Sequence, residues 1–277
     1  MAFLQFDDPG PLTAPVLIAS FDGWVNAGSA GTAAAEHLML GGEIVGRFDA
    51  DSLFDYRAVR PTIQFTEGVM EAVEFPEVVL VHRETKNRDL LVLTGTEPNW
   101  NWQRLGRELS TLAGQVGIVE HISLGGIPWA IPHTRPISMI ETASRTDLFL
   151  HDVDRPEGTL RAPGSVMSAV EFFVAETGIP TRGFWARVPH YVGATYWPAA
   201  LALVERVSTH LGISVPYDEL VDNAAEQRHR LDEILEGQPD VRAVVERLEA
   251  MNPDDAPSGE ELAAEIERYL QQRGEND

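Results

Sequence analysis

Val16-Leu17-Ile18-Ala19-Ser20-Phe21 is a short, almost wholly apolar run that stops abruptly at Asp22-Gly23-Trp24. The same device recurs along the chain. Leu90-Leu91-Val92-Leu93 runs into Thr94-Gly95-Thr96-Glu97-Pro98, and Ile118 to Leu124 runs into Gly125-Gly126 and then Pro132-His133-Thr134-Arg135-Pro136. Gly183-Phe184-Trp185-Ala186-Arg187-Val188 runs into Pro189-His190-Tyr191. Short apolar runs bounded by turn residues are the pattern of strands buried on both faces, as in a parallel sheet covered by helices. In such sheets the loops at the carboxyl ends of the strands gather on one edge, where ligands bind. The sequence therefore predicts an α/β fold and a site at that edge.

Between these runs the helical signals are local. A small-residue segment over 26–40 follows the first strand, with Asn26 placed to cap it and Gly41-Gly42 to end it. A strand is expected at 44–48, and Leu53 to Pro61 reads as a loop or short turns. The runs 78–81 and 90–93 are joined by a polar hairpin-type connector, Arg83 to Asp89. Helices are expected at 102–113, at 164–177 (Ser165 near the start, Gly178 and Pro180 ending it) and at 198–211, with a strand or short helix within 137–150. From Tyr217 the pattern changes to amphipathic helices at 218–236, 240–251 and 259–272. The expected organisation is an α/β core over residues 1–214 and an acidic helical appendage over 215–277.

Composition removes whole classes of function. The 277 residues contain no cysteine, which excludes disulfides, thiolate metal sites and a cysteine nucleophile. The net charge is −22; residues 217–277 hold 18 acidic and 6 basic side chains, a net of −12 that leaves −10 for the rest. Such a field repels phosphate backbones, so no nucleic-acid role is expected. No signal peptide is read at the amino terminus, and no apolar run reaches the roughly 18 residues of a membrane span, so the expectation is a cytoplasmic protein without a membrane partner. The dinucleotide, P-loop, zinc-protease and nucleophile-elbow motifs are absent from the sequence. No cofactor and no metal are expected.

The polar residues at the strand ends are the candidates for a pocket. Asp22, Asp55 and Glu97 supply carboxylates suited to acid–base or orienting roles, with Trp24 beside the first of them. His133 and His190, each framed by prolines or an aromatic, would carry protons near neutral pH. Arg57, Arg60 and Arg135 can hold a carboxylate or phosphate bidentately. Each group also has a structural reading: Asp22 as a cap, Asp55 and Arg57 as a pair fixing their loop, and the His loops as segments satisfying their own carbonyls. Gly28-Ser29-Ala30-Gly31 could present N–H groups to an anion or simply let its helix lie close to the sheet. Trp100 and Trp102 could pack beneath their loop or anchor a partner.

Taken in order, Phe21-Asp22-Gly23-Trp24, Asp55-Tyr56-Arg57 with Arg60-Pro61, the Thr94–Pro98 loop, Leu124-Gly125-Gly126, Pro132–Pro136 and Gly183–Tyr191 resemble the proteasome assembly chaperone 2 family, in its bacterial, actinobacterial-type branch, over about residues 15–235. The resemblance implies a three-layer α/β sandwich related to the purine nucleoside phosphorylase and hydrolase folds, with a carboxy-terminal helical segment. It implies self-association into a homo-oligomer, a trimer being one arrangement, and protein partners such as proteasome-like subunits. Eukaryotic and archaeal relatives dock through a hydrophobic–Tyr–any tripeptide at the extreme carboxyl terminus. This sequence ends Arg273-Gly274-Glu275-Asn276-Asp277, with Tyr269 eight residues inside, so that docking mode is not expected.

Two functions follow as expectations. One is a non-catalytic assembly protein acting through protein–protein contacts. The other is a small-molecule-binding protein or enzyme, nucleoside phosphorylase/hydrolase-like or amine-ligase-like, using the pocket at the strand ends.

Overall fold

The computed structural model describes residues 2–156 and 158–250. Its centre is a mixed sheet of eight strands: β1 (Leu4–Phe6), β2 (Val16–Asp22), β3 (Glu43–Phe48), β6 (Val78–Glu84), β7 (Asp89–Thr96), β8 (Glu120–Trp129), β9 (Met139–Ala143) and β10 (Thr181–Pro189). Across the sheet they stand in the order β1-β3-β6-β7-β2-β8-β10-β9. The four central strands β7, β2, β8 and β10 run parallel, and the flanking pairs are antiparallel. The expected strands all form. β6 and β7 make the predicted hairpin, and β7 crosses over to β8 through α3 (Trp102–Val116).

Two apolar layers close the sandwich. α3 and α4 (Val166–Glu176) cover one face, meeting Leu17, Ala19, Phe21, Leu91 and Leu93 of the central strands. α1 (Ala30–Leu38) and α5 (Trp197–Leu211) cover the other, against Ile18, Val92, Ile122, Leu124 and Phe184. Alternation along each strand sends successive side chains to opposite layers. Beyond the core, α6 (Asp218–Gly237) packs on α5 through buried Leu220 and Ala224 and is followed by α7 (Pro239–Ala250). The helix expected at 259–272 and the chain's last residues lie outside the described residues.

Three elements differ from the sequence reading. β1 has no counterpart there; it is three residues long and owes its existence to pairing with β3 at the sheet edge. A short helix α2 (Ala50–Leu53) precedes a hairpin of β4 (Thr62–Thr66) and β5 (Val69–Glu74), which forms a separate two-stranded sheet. Finally, Gly125-Gly126 does not end its strand. β8 runs on to Trp129, paired with β10 as far as Trp129↔Pro189, and residues 25–27 bridge to it at Gly126, whose N–H donates to the Val25 carbonyl at 3.0 Å. A Cβ on Gly126 would stand 2.3 Å from the Ala27 carbonyl oxygen, so glycine is what permits the approach.

Candidate functional site

The sheet sorts the sequence candidates into separate places. Asp22 lies at the end of β2 and opens into a cleft of about 460 Å³ on the α1 side, together with Glu36, Glu77, Thr94 and Thr96. Among the described residues no arginine or lysine lines it. Glu77 is paired with Arg47 at 2.5 Å, and Asp22 and Glu36 leave the cleft net acidic, which disfavours a phosphate or carboxylate ligand.

Glu97 and Trp24 belong to the other face. Glu97 Oε1 accepts the Val166 N–H at 2.8 Å, at the first turn of α4, and the carboxylate also takes the Trp24 backbone N–H. Trp24 Nε1–H in turn donates to the Gly164 carbonyl at 3.2 Å. A carboxylate here satisfies a helix-end donor and meets the positive end of the helix dipole. Burial pushes its pKa above the usual range, and the two backbone N–H groups offset only part of that. We expect Glu97→Ala to lower stability by about 1–2 kcal/mol. Chemical denaturation checks this, with Glu97→Gln, which keeps an acceptor, falling in between.

Asp55, Arg57 and Arg60 stand apart from both. Asp55 Oδ1 accepts the Arg57 N–H at 2.9 Å, and its carbonyl accepts from Ala58 and Val59, so it organises a tight turn. The Arg57 N–H, with the guanidinium 3.6 Å away, holds the Asp55 carboxyl below the usual range against a small opposing effect of burial. Arg57 and Arg60 are exposed.

His133 and Arg135 share a third place. Nδ1 of buried His133 lies 2.7 Å from Tyr191 Oη, and that same oxygen accepts the His133 backbone N–H. The phenol O–H thus donates to Nδ1, leaving Nε2–H to face Asp232 Oδ1 of α6 at 3.3 Å. Arg135 Nη2 donates to the Glu249 carbonyl and Thr134 Oγ1 donates to its carboxylate, both at 2.6 Å, in the last turn of α7. The Pro-bounded loop therefore touches both of the last two described helices. An open cleft of about 410 Å³ beside it is lined by His133, Arg135, Arg228 and Asp232. His190 is exposed, with its ring against Tyr191 and its N–H donating to the Trp129 carbonyl at 3.1 Å.

The remaining motifs resolve simply. Asn26 Oδ1 accepts the N–H groups of Gly31 and Thr32 at 3.0 and 3.2 Å, so the first turn of α1 has its donors occupied by its own chain. A Cβ on Gly31 would lie 2.6 Å from the Leu124 carbonyl; the small residues let α1 sit on β8. Trp102 Nε1–H caps the Pro98 carbonyl at 2.5 Å, while Trp100 is exposed.

Sequence reasoning missed a buried polar chain under α4. His121 Nε2 lies 3.1 Å from Ser123 Oγ, and the Ser123 hydroxyl meets the carboxyl of Glu171. Burial holds the His121 imidazole down at about 4, so it is neutral. Ser123 is fully buried, which keeps this His–Ser pair from acting on a substrate. The available signal was Glu171 itself, one carboxylate inside the apolar run Ala169-Val170-Glu171-Phe172-Phe173. Among the described residues no three His, Cys, Asp or Glu side chains converge as a metal ligand set, and no helix is long and apolar enough to cross a membrane.

Comparison places this architecture. A Mycobacterium tuberculosis protein of unknown function, Rv2714, is 32% identical, with a TM-score of 0.86 over 98% of this chain and 96% of that one. A Corynebacterium glutamicum protein of unknown function is 26% identical, with a TM-score of 0.83 over 89% and 95%. A Mycobacterium tuberculosis proteasome-assembly chaperone homologue, Rv2125, is 28% identical, with a TM-score of 0.73 over 79% and 94%. No curated protein matches. The model of the PAC2 family matches residues 20–235, a span that holds the acidic cleft, the Glu97 cap, the Asp55 turn and the His133 loop, and the chain belongs to that family.

Proposed function

We propose that this chain is a cytoplasmic, non-catalytic assembly protein of the proteasome-chaperone kind, which works by self-association and by offering its surface to other subunits. The core over 1–214 is the scaffold in this reading, and α6 and α7 belong to an appendage that packs on α5 and touches the His133 loop. The similarity to the proteasome-assembly chaperone homologue supports the class of function. So does the dispersal of the candidates over separate places, with Glu97, Asp55, His133 and Arg135 each engaged in a hydrogen bond within the chain.

The observation that carries the proposal is the β4–β5 hairpin. Its pairs Ile63↔Val73 and Phe65↔Met70 stand on one face, and all four side chains are exposed, Phe65 by 57% and Met70 by 56%. On the opposite face Gln64 and Thr66 both donate to Glu71, with exposed Val69 paired to Thr66 beside the turn. A two-stranded hairpin is marginal alone in water, and an apolar face of this kind marks an interaction surface. The proposed occupant is a second copy of the chain, with proteasome-like subunits as further partners.

Phe65→Asp with Met70→Asp should convert an oligomer to a monomer at micromolar concentration while leaving circular dichroism unchanged. Native mass spectrometry of the two proteins reads this directly. A wild-type chain that is monomeric and retains no subunit from its host lysate overturns the proposal.

A further inference from the structure

Between α4 and the β8–β10–β9 side of the sheet lies a half-open chamber of about 200 Å³. Its walls are largely apolar, with Trp24, Ile127, Ile140, Leu160 and Trp185 prominent. The polar atoms of the wall are mostly spoken for. Thr142 Oγ1 accepts from Trp185 Nε1 at 2.9 Å, Ser168 Oγ accepts the Ser165 N–H at 3.2 Å, and the Trp24 indole N–H is held by Gly164. Glu171 differs. Among the described residues it is the one titratable side chain of the lining, and its Oε1 is buried with no hydrogen-bond partner.

We propose that this chamber binds a small uncharged molecule, largely apolar and bearing one hydrogen-bond-accepting oxygen, which accepts a hydrogen bond from the O–H of the Glu171 carboxylic acid. Among the described residues no cationic side chain lines the chamber to match an anion. A carboxyl in apolar surroundings is held as the neutral acid, and the acid form is a donor in need of an acceptor. The volume sets the size. An apolar cavity of about 150 Å³ accommodates benzene, so this one takes a single ring with a short substituent.

The surroundings leave Glu171 in charge of the chemistry. On β8 the neighbouring titratable group is His121, reached through Ser123 and neutral. At the start of α4, Glu97 is tied to the Val166 N–H, and on α3 the Arg107 guanidinium lies over the Phe173 ring at 4.7 Å. β2 and β10 bring Ala19, Phe21 and Trp185 to this face. Burial, offset in part by the Ser123 hydroxyl, pushes the Glu171 carboxyl up to about 7.

The test is a titration of the full chain with acetophenone, benzylamine, benzoate and ethylbenzene, read from the indole N–H resonances of Trp24 and Trp185. Acetophenone should bind about tenfold more tightly than ethylbenzene at pH 6, the worth of one net hydrogen bond. Its affinity should fall about tenfold between pH 6 and pH 8 as the acid form is lost. Glu171→Gln keeps an N–H donor, so it should retain the pH 6 affinity and erase the pH dependence. Glu171→Leu should bring acetophenone down to the level of ethylbenzene. If that variant does not fold, the wild-type pH profile and the Gln variant decide. Preference for benzylamine or benzoate, an acetophenone affinity that is flat with pH, or no response at either indole overturns the proposal.

Discussion

Arg182→Met is expected to lower the stability of the protein by about 3–5 kcal/mol at pH 7.5, the penalty for breaking a buried ion pair from one side. Arg182 on β10 is 5% exposed. Its Nε–H donates to Glu120 Oε1 at 2.6 Å, and Nη1–H donates to Glu141 Oε1 at 2.7 Å and to the Leu148 carbonyl at 3.0 Å. Glu141 is fully buried on β9, and its other oxygen accepts the Leu150 N–H at 2.8 Å. Removing the guanidinium strands a carboxylate in the interior, while Met replaces only the aliphatic part of the side chain. Glu141→Leu on the same background should recover part of the loss, because the charge left without a partner is then gone.

The deficit of the Met variant should also shrink in acid. Burial alone would raise Glu120, but hydrogen bonds and charge from His210 and Arg182 outweigh it and hold the carboxyl below its ordinary 4.5. A lowered folded-state value means stability present above that ordinary value and lost as pH falls below it. Urea unfolding at pH 7.5 and pH 4 measures both effects. A loss under about 1 kcal/mol at pH 7.5 would equate this cluster with a surface ion pair.

The same strands show what the sequence could and could not reveal. The runs at 16–21, 90–93 and 183–188 were legible because each is apolar on both faces and bounded by turn residues. The ends of α4 were legible because capping is local: Ser165 and Ser168 form a capping box, and Gly178 follows with φ of 88°. Gly125-Gly126 misled for the opposite reason. A glycine inside a strand marks either a stop or a close backbone approach, and the approaching segment is about a hundred residues away in the chain. The hairpin at 62–74 did leave a local trace, apolar–polar alternation around Glu67-Gly68, both at positive φ. Its isolation from the main sheet did not, since exposure of Phe65 and Met70 depends on what fails to pack over them.

The candidate site failed to assemble as one pocket for a related reason. The expectation that strand-end loops gather on one edge holds for Asp22, Trp24, Glu97 and His190. A sheet, however, has two faces, and side-chain alternation sends Asp22 to the α1 side while Glu97 turns to cap α4. The partners of His133 and Arg135 arrive from α6 and α7, about a hundred residues later in the chain. Spacing along one strand carries no information about such contacts.

Glu171→Gln is expected to make the protein more stable, by about 3 kcal/mol at pH 8 and by almost nothing at pH 4. The Glu171 carboxyl is raised from 4.5 to about 7, chiefly by burial. A raised carboxyl favours folding as long as both states are protonated. That advantage is lost as pH climbs from the ordinary value to the folded-state value, because the unfolded chain ionises freely and the folded one does so only against burial. Gln keeps the shape and the contact with Ser123, and it has nothing to ionise, so its advantage grows over this window and then levels off. Denaturant unfolding across pH 4–8 reads the slope, and a difference that stays flat would mean that the carboxyl is solvated. A residue that weakens the fold near neutral pH, where an amide would not, fits a position held for what it binds rather than for what it supports. The apolar walls of the chamber raise the carboxyl and leave Oε1 without a protein partner, so the instability at pH 8 and the capacity to donate a hydrogen bond to a ligand have one physical cause.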